Sequence, residues 1–251
     1  AGSGKTRVIV HRIAYLVSEG LSEPDRILAV TFTNKAAGEM RARVESLLGV
    51  DCQGMWLSTF HALCARLLRR EAPHIGLSRD FVIYDSSDQL TVMKQVLREA
   101  GLDGTLQPRV ALSRISHAKN RMESAEGSEG TWNPRDEQLG QLHAMDARAL
   151  KEANALDCDD LLLKTVELFD EAPLVRERYG KKFRFVLVDE YQDTNRPQYL
   201  LIRHLAPHHN LCVVGDPDQS IYKWRAPELR NILDFGHDFS AGGYVGLKPN
   251  Y

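Results

Sequence analysis

Glycine, lysine and threonine stand together at Gly4-Lys5-Thr6, inside the opening Ala1-Gly2-Ser3-Gly4-Lys5-Thr6 and ahead of a helix-period run beginning Val8-Ile9-Val10. Glycines at Gly2 and Gly4 let the backbone N–H groups around Ser3 close on phosphate oxygens. Lys5 can then reach the β- and γ-phosphates, Thr6 can offer a hydroxyl to Mg²⁺, and the helix N-terminus favours the negative charge. This is the second half of a Walker A loop. The loop's beginning and the strand before it are not among these residues, so the natural N-terminus is expected upstream. The three residues alone also fit an ordinary glycine-capped helix start.

A second element weighs against that simpler reading. Val186-Leu187-Val188 runs directly into Asp189-Glu190, an apolar strand ending in adjacent carboxylates, the Walker B arrangement. Asp189 would hold Mg²⁺, while Glu190 would orient and deprotonate the water that attacks the γ-phosphate. A third strand-to-turn segment, Val213-Val214-Gly215-Asp216-Pro217-Asp218-Gln219, carries Gln219. Its carboxamide both donates and accepts hydrogen bonds, which suits sensing the γ-phosphate and placing the water.

These groups need elements that hold them. Ile27-Leu28-Ala29-Val30, Phe185-Val186-Leu187-Val188 and Leu211-Cys212-Val213-Val214 read as buried parallel strands. Helical patterns run from Thr6 to Ser18, Lys35 to Leu48, Phe60 to Glu71 and Gln198 to Leu205. The alternation predicts an α/β fold, a parallel sheet with helices on both faces and its chemistry at the strands' C-terminal ends. From about Leu77 to Leu156 the pattern changes: after the short apolar run Phe81-Val82-Ile83-Tyr84 it is mostly helical. Asp88 to Ala100 is amphipathic, with a cap expected at Ser86 or Ser87, and Ser124 to Gly130 is loop-like. This middle reads as a helical insertion, and no internal repeat interrupts it.

The 251 residues, 43% apolar and 26% charged, suffice for one large domain carrying such an insertion. The net charge of −2 gives no global positive field that would draw in nucleic acid. Cys52, Cys64, Cys158 and Cys212 lack metal-site spacing and read as reduced, buried thiols. No apolar run approaches the roughly 18 residues of a membrane span.

In order along the chain lie Thr31-Phe32-Thr33-Asn34-Lys35-Ala36-Ala37, Thr59-Phe60-His61, Asp189-Glu190-Tyr191-Gln192-Asp193 and Gly215-Asp216-Pro217-Asp218-Gln219-Ser220-Ile221-Tyr222-Lys223-Trp224-Arg225. That set resembles superfamily 1 DNA helicases of the UvrD/PcrA/Rep family, in which these segments are motifs Ia, Ib, II and III. Asn154 to Leu162 is similar to a family segment just before motif II. The resemblance implies a RecA-like motor domain, 1A, made of residues 1–76 and 158–251 and interrupted by a helical subdomain 1B at residues 77–157. It further implies a cytoplasmic ATP- and Mg²⁺-dependent translocase moving 3′ to 5′ on single-stranded DNA, engaging single/double-strand junctions. A second motor domain, 2A, and its 2B insertion are expected beyond these residues. Leu247 to Tyr251 looks like the first part of motif IV. By the same resemblance Tyr251 would stack on adenine, with Arg7 on the other face.

On the DNA side, Phe32, Tyr222 and Trp224 fall where the family places aromatics that stack on bases, tolerant of any sequence. Thr33, Asn34, Thr59 and His61 fall in backbone-contacting motifs, and Arg225 is a further phosphate or coupling contact. Without the motifs, Phe32 and Trp224 would read as core aromatics. Arg66, Arg69 and Arg70 fit a DNA track or a solvated basic face equally, and Lys119 and Arg121 are open in the same way. The sequence departs from the family at Cys158, where an aromatic is usual, and at Ala226-Pro227, where glycine-alanine is usual. Two rival readings stand: an ATP- and DNA-binding module with little turnover of its own, because an opposing domain would supply arginines, and the motor part of an AddA/RecB-like helicase-nuclease.

Overall fold

The computed structural model describes residues 4–52, 54–122, 134–216 and 245. A four-stranded, all-parallel sheet has the order β2-β1-β5-β6, with β1 at Ile27–Thr31, β2 at Trp56–Thr59, β5 at Phe185–Val188 and β6 at Leu211–Val213. Side chains alternate across a strand, and the two cores follow that period. Leu28, Val30, Trp56, Val186 and Val188 face α3 (Phe60–Glu71), α7 (Cys158–Glu171), α8 (Pro173–Lys182) and α9 (Arg196–Leu205). Ile27, Ala29, Leu57 and Leu187 face α1 (Lys5–Ser18) and α2 (Asn34–Leu48) on the other side. The fold is therefore an α/β sheet covered by helices on both faces, as expected.

The strands and helices expected from the sequence are present, with α9 beginning two residues earlier than its apolar period because Asn195 caps it. Asn195 and Gln198 satisfy each other's backbone N–H groups in a capping box. The strand β2 and the helices α7 and α8 are additions to the sequence expectation.

The middle of the chain is helical, with α4 at Ser86–Glu99, α5 at Pro108–Arg121 and α6 at Pro134–Glu152. These helices bury a core of their own from Met93, Val96, Leu97, Ala111, Ile115 and Leu142. The cap of α4 is Asp85, whose carboxylate accepts from the Ser87 and Asp88 backbone, rather than Ser86 or Ser87; a carboxylate at this position also favours the positive end of the helix dipole. Where the middle segment leaves and rejoins the chain, two short strands, β3 (Val82–Ile83) and β4 (Ala155–Leu156), pair in parallel. Their bonds run from Val82 N–H to the Asn154 carbonyl and from Tyr84 N–H to the Leu156 carbonyl, 2.9 Å each.

The four cysteines are free thiols, but they are not uniformly buried. Cys52 and Cys64 are enclosed, Cys212 is half-buried, and Cys158 is exposed because it opens the first turn of α7. Burial pushes the Cys64 thiol up to about 12, so it is an inert core group. The segment 124–130 lies outside the described residues. Among the described residues no helix is long and apolar enough to cross a membrane, and no cluster of His, Cys, Asp and Glu could hold a metal by itself.

Candidate functional site

Parallel strands put all their C-terminal ends on one edge, and the candidate residues collect there. Gly4 adopts a left-handed backbone, φ 79° and ψ 15°, at the N-cap of α1, a conformation open to glycine at little cost. Lys5 and Thr6 follow as the first helical residues. Lys5 is 8% exposed although cationic, and its Nζ lies 3.7 Å from Asp216 Oδ2, just past β6. Thr6 Oγ1 donates to Asp189 Oδ2 at 2.9 Å, joining residues 183 positions apart.

Asp189 directly follows β5 and is 2% exposed. Burial raises its carboxyl above the ordinary value, and the Glu190 charge adds to the rise. The Thr6 hydroxyl, the Glu190 N–H and the Lys5 ammonium act against it. A buried carboxylate in this condition, touching a second oxygen ligand, is suited to a divalent cation, whose charge would offset the desolvation.

Glu190 takes φ 50° and ψ 43°, a left-handed conformation that side chains rarely adopt and that costs about 1–2 kcal/mol. Surrounding bonds hold it there. Its N–H donates to Asp189 Oδ1 at 3.0 Å, and the next N–H, of Tyr191, donates to the Val214 carbonyl at 2.9 Å. Its carboxylate Oε2 accepts from Gln192 Nε2 at 2.7 Å. Gln192 in turn accepts through Oε1 from the Asp216 N–H at 2.9 Å. The contacts form a circuit through Lys5, Asp216, Gln192, Glu190, Asp189 and Thr6.

Gln192 was not among the residues expected from the sequence to form the site. It stands inside the segment Asp189-Glu190-Tyr191-Gln192-Asp193 without a role assigned to it there; a buried carboxamide must place both a donor and an acceptor, and the acceptor's partner, the Asp216 N–H, is supplied by the fold.

The strand order places another set beside this one. Thr33 and Thr59 each accept a backbone N–H through the hydroxyl oxygen, from Ala36 and Ala62, and so cap α2 and α3. The register pairs Thr31 with Thr59, so the two helix N-termini emerge side by side, with Thr33 and Asn34 exposed and Thr59 buried. Helix starts that present unpaired N–H groups suit the oxygens of a phosphate backbone. Phe32 is half-buried and meets Phe60 edge-on, ring centroids 5.8 Å apart, so part of its ring belongs to the core. His61 is half-buried in the first turn of α3.

Other expected residues fall elsewhere. Arg7 is exposed, and its Nε donates to His11 Nε2 at 3.4 Å along α1. Arg66 lies over the Trp56 ring at 3.6 Å, and Arg69 over Phe81 at 3.8 Å. These guanidiniums roof aromatic core residues. Lys119 is buried in an ion cluster with Asp157 and Asp160, which makes it structural rather than part of a track. Gly2, Ser3, Gln219, Tyr222, Trp224, Arg225 and Tyr251 lie outside the described residues.

A family model described as the UvrD/REP helicase N-terminal domain matches residues 1–240. Among curated relatives, the chain is 49% identical to an ATP-dependent DNA helicase PcrA of Bacillus subtilis, over all of this chain and 34% of the relative. It is 47% identical to a protein of the same name from Staphylococcus epidermidis and 45% identical to one from Staphylococcus aureus, over all of this chain and 35% of each. The chain thus spans about a third of the length of these relatives. Sequence motifs in order, a parallel sheet that brings the described parts of them to one edge, and a family match over nearly every residue agree: the chain belongs to the UvrD/REP helicase N-terminal domain family.

Proposed function

We propose that this chain is the ATP-binding part of a single-stranded-DNA translocase and helicase working 3′ to 5′, with residues 1–76 and 158–251 forming the motor domain and 77–157 an inserted helical subdomain. The observation that carries the reading is the Thr6–Asp189 contact at 2.9 Å, which joins the two halves of a phosphate site from opposite ends of the chain. The relatives named above are ATP-dependent DNA helicases by name, which supports the same direction.

Gly2, Ser3 and Gly4 would wrap the phosphates with backbone N–H groups, and Lys5 would exchange Asp216 for phosphate oxygens. Thr6 and Asp189 would hold Mg²⁺, which, when bound, neutralises charge on the β- and γ-phosphates. Glu190 accepts a proton from a water whose oxygen attacks the γ-phosphorus, and the bond to the ADP oxygen breaks. Gln219 would sense the γ-phosphate, while Arg7 and Tyr251 would enclose the adenine.

DNA would run along the β1–β2 side of the same edge. Thr33, Asn34, Thr59 and His61 would meet its phosphates, while Phe32, Tyr222 and Trp224 would stack on bases and Arg225 would couple the two. Neighbouring parallel strands lie about 5 Å apart, so the DNA and phosphate sets sit on adjacent strands and can influence each other directly.

The test is steady-state ATP hydrolysis by the full-length protein, with and without single-stranded DNA, comparing the natural sequence with Glu190→Gln. DNA should raise turnover many-fold and the substitution should abolish it. Turnover indifferent to DNA would remove the nucleic-acid assignment and leave an ATP-binding module.

A further inference from the structure

Gln192 stands between two pieces of machinery without belonging to either. It is 4% exposed, sits in the 3-10 turn Tyr191–Asp193 and uses both ends of its carboxamide. Nε2 donates to Glu190 Oε2 at 2.7 Å, with a longer contact of 3.4 Å to Asp193 Oδ2. Oε1 accepts from the Asp216 N–H at 2.9 Å. The amide is thus a rigid bridge from the end of β5 to the end of β6.

The bridge is closely fitted. A Cβ on Gly215 would come within 2.7 Å of Gln192 Oε1 and 3.3 Å of Gln192 N, so the glycine leaves the space that the carboxamide occupies. Glu190 has a left-handed backbone, and a side chain leaving such a backbone has few supports of its own. Among the described residues, the side chain that hydrogen-bonds its carboxylate is Gln192. Asp216 also lies 3.7 Å from Lys5, so displacement at the phosphate end moves the same loop that Gln192 holds.

We propose that Gln192 is a positioning residue for hydrolysis: it aims the Glu190 carboxylate and ties that aim to the position of the loop after β6. The proposal rests on the reading of Glu190 as the group that activates water. Movement of the Asp216 backbone, as Lys5 exchanges partners, would pull on the carboxamide and turn Glu190 toward or away from its water. Misplacement of this order costs as much as about 100-fold in rate.

The experiment uses the full-length protein with saturating single-stranded DNA, measuring fluorescent-nucleotide binding, KM and kcat. Gln192→Met removes both hydrogen bonds. Gln192→Glu keeps the volume and the acceptor for Asp216 but turns the donor facing Glu190 into a second carboxylate. Both should lower kcat by about 10- to 100-fold while nucleotide affinity and KM stay unchanged. In single-turnover measurements of the slow residual reaction that remains once Glu190→Gln has abolished steady-state turnover, Gln192→Met should add no further loss, because its action passes through Glu190.

An unchanged kcat in Gln192→Met, a further loss in the Glu190→Gln background, or a parallel loss of nucleotide affinity would each overturn the proposal. So would failure of both variants to fold, which would make Gln192 structural. If instead Glu190→Gln itself retains full turnover, the underlying assignment of Glu190 fails, and the two failures are told apart in the same series.

Discussion

Lys119 Nζ lies 2.8 Å from Asp157 Oδ2, inside the protein, tying the last turn of α5 to the N-cap of α7. A second contact of 2.8 Å reaches Asp160 Oδ1. Burial alone would lower the lysine's pKa, but Asp160 and Asp157 together raise it above the ordinary lysine value, so the cation is locked on. Removing one partner of a buried pair leaves uncompensated charge and costs about 3–5 kcal/mol. Lys119→Met should lower the stability of the protein by that amount in urea denaturation. A loss below about 1 kcal/mol, the range of a surface pair, would show that the cluster is solvated.

Asp146 gives the same region a pH dependence. It is 2% exposed, and burial pushes its carboxyl up to about 6; Asp157 and Asp160 also push up, and Lys119 pulls down. His143, on the same helix, is held below its ordinary value by burial and by Lys119. A carboxyl whose folded pKa exceeds the unfolded value favours the folded state below the unfolded value, and the advantage is lost as pH rises through the folded one. At pH 8 the ionised Asp146 therefore costs about 3 kcal/mol. Asp146→Asn should stabilise the protein at pH 8, with the gain shrinking toward pH 4. A gain independent of pH would refute the assignment.

How much of this was readable from the sequence depends on how local each feature is. Gly4-Lys5-Thr6 and Asp189-Glu190 are linear motifs whose chemistry follows from adjacent residues, and they meet as expected. β2 was missed because Trp56-Leu57-Ser58-Thr59 neither alternates nor forms an apolar run; pairing with β1 makes it a strand. β3 and β4 are two residues each, too short to carry a period. Gln192 escapes a linear reading because, although Glu190 is two residues away, the Asp216 N–H that completes its bridge is 24 positions along and arrives only with the pairing of β5 and β6. The bridge from α9 to α5, in which Asn195 Nδ2 donates to Asn120 Oδ1, is equally invisible before folding.

Thr33 allows capping and DNA contact to be separated. Its hydroxyl oxygen accepts from Ala36 N at 3.1 Å, and aspartate caps a helix about as well as threonine does. Thr33→Asp should leave thermal stability unchanged while placing a negative charge where the proposed path puts a phosphate. Single-stranded-DNA affinity should then fall by about 10-fold or more, most strongly at low salt. Unchanged affinity with unchanged stability would move the DNA away from the start of α2.

Gly215 offers a way to disturb Gln192 without touching it. Its backbone φ is not left-handed, so an alanine there meets no conformational penalty of its own. The conflict is steric: the added methyl would stand 2.7 Å from Gln192 Oε1, 3.3 Å from Gln192 N and 3.5 Å from Tyr191 N. The carboxamide can swing away, but only by giving up its bond from Asp216 or its bond to Glu190. Overpacking of this kind costs about 1–3 kcal/mol, small enough for the protein to remain folded. Gly215→Ala should therefore retain nucleotide binding, lose part of its stability in thermal denaturation and lower single-turnover hydrolysis. If hydrolysis survives while stability falls, the methyl is accommodated by the backbone after β6, and the Gln192–Glu190 contact withstands movement of that loop.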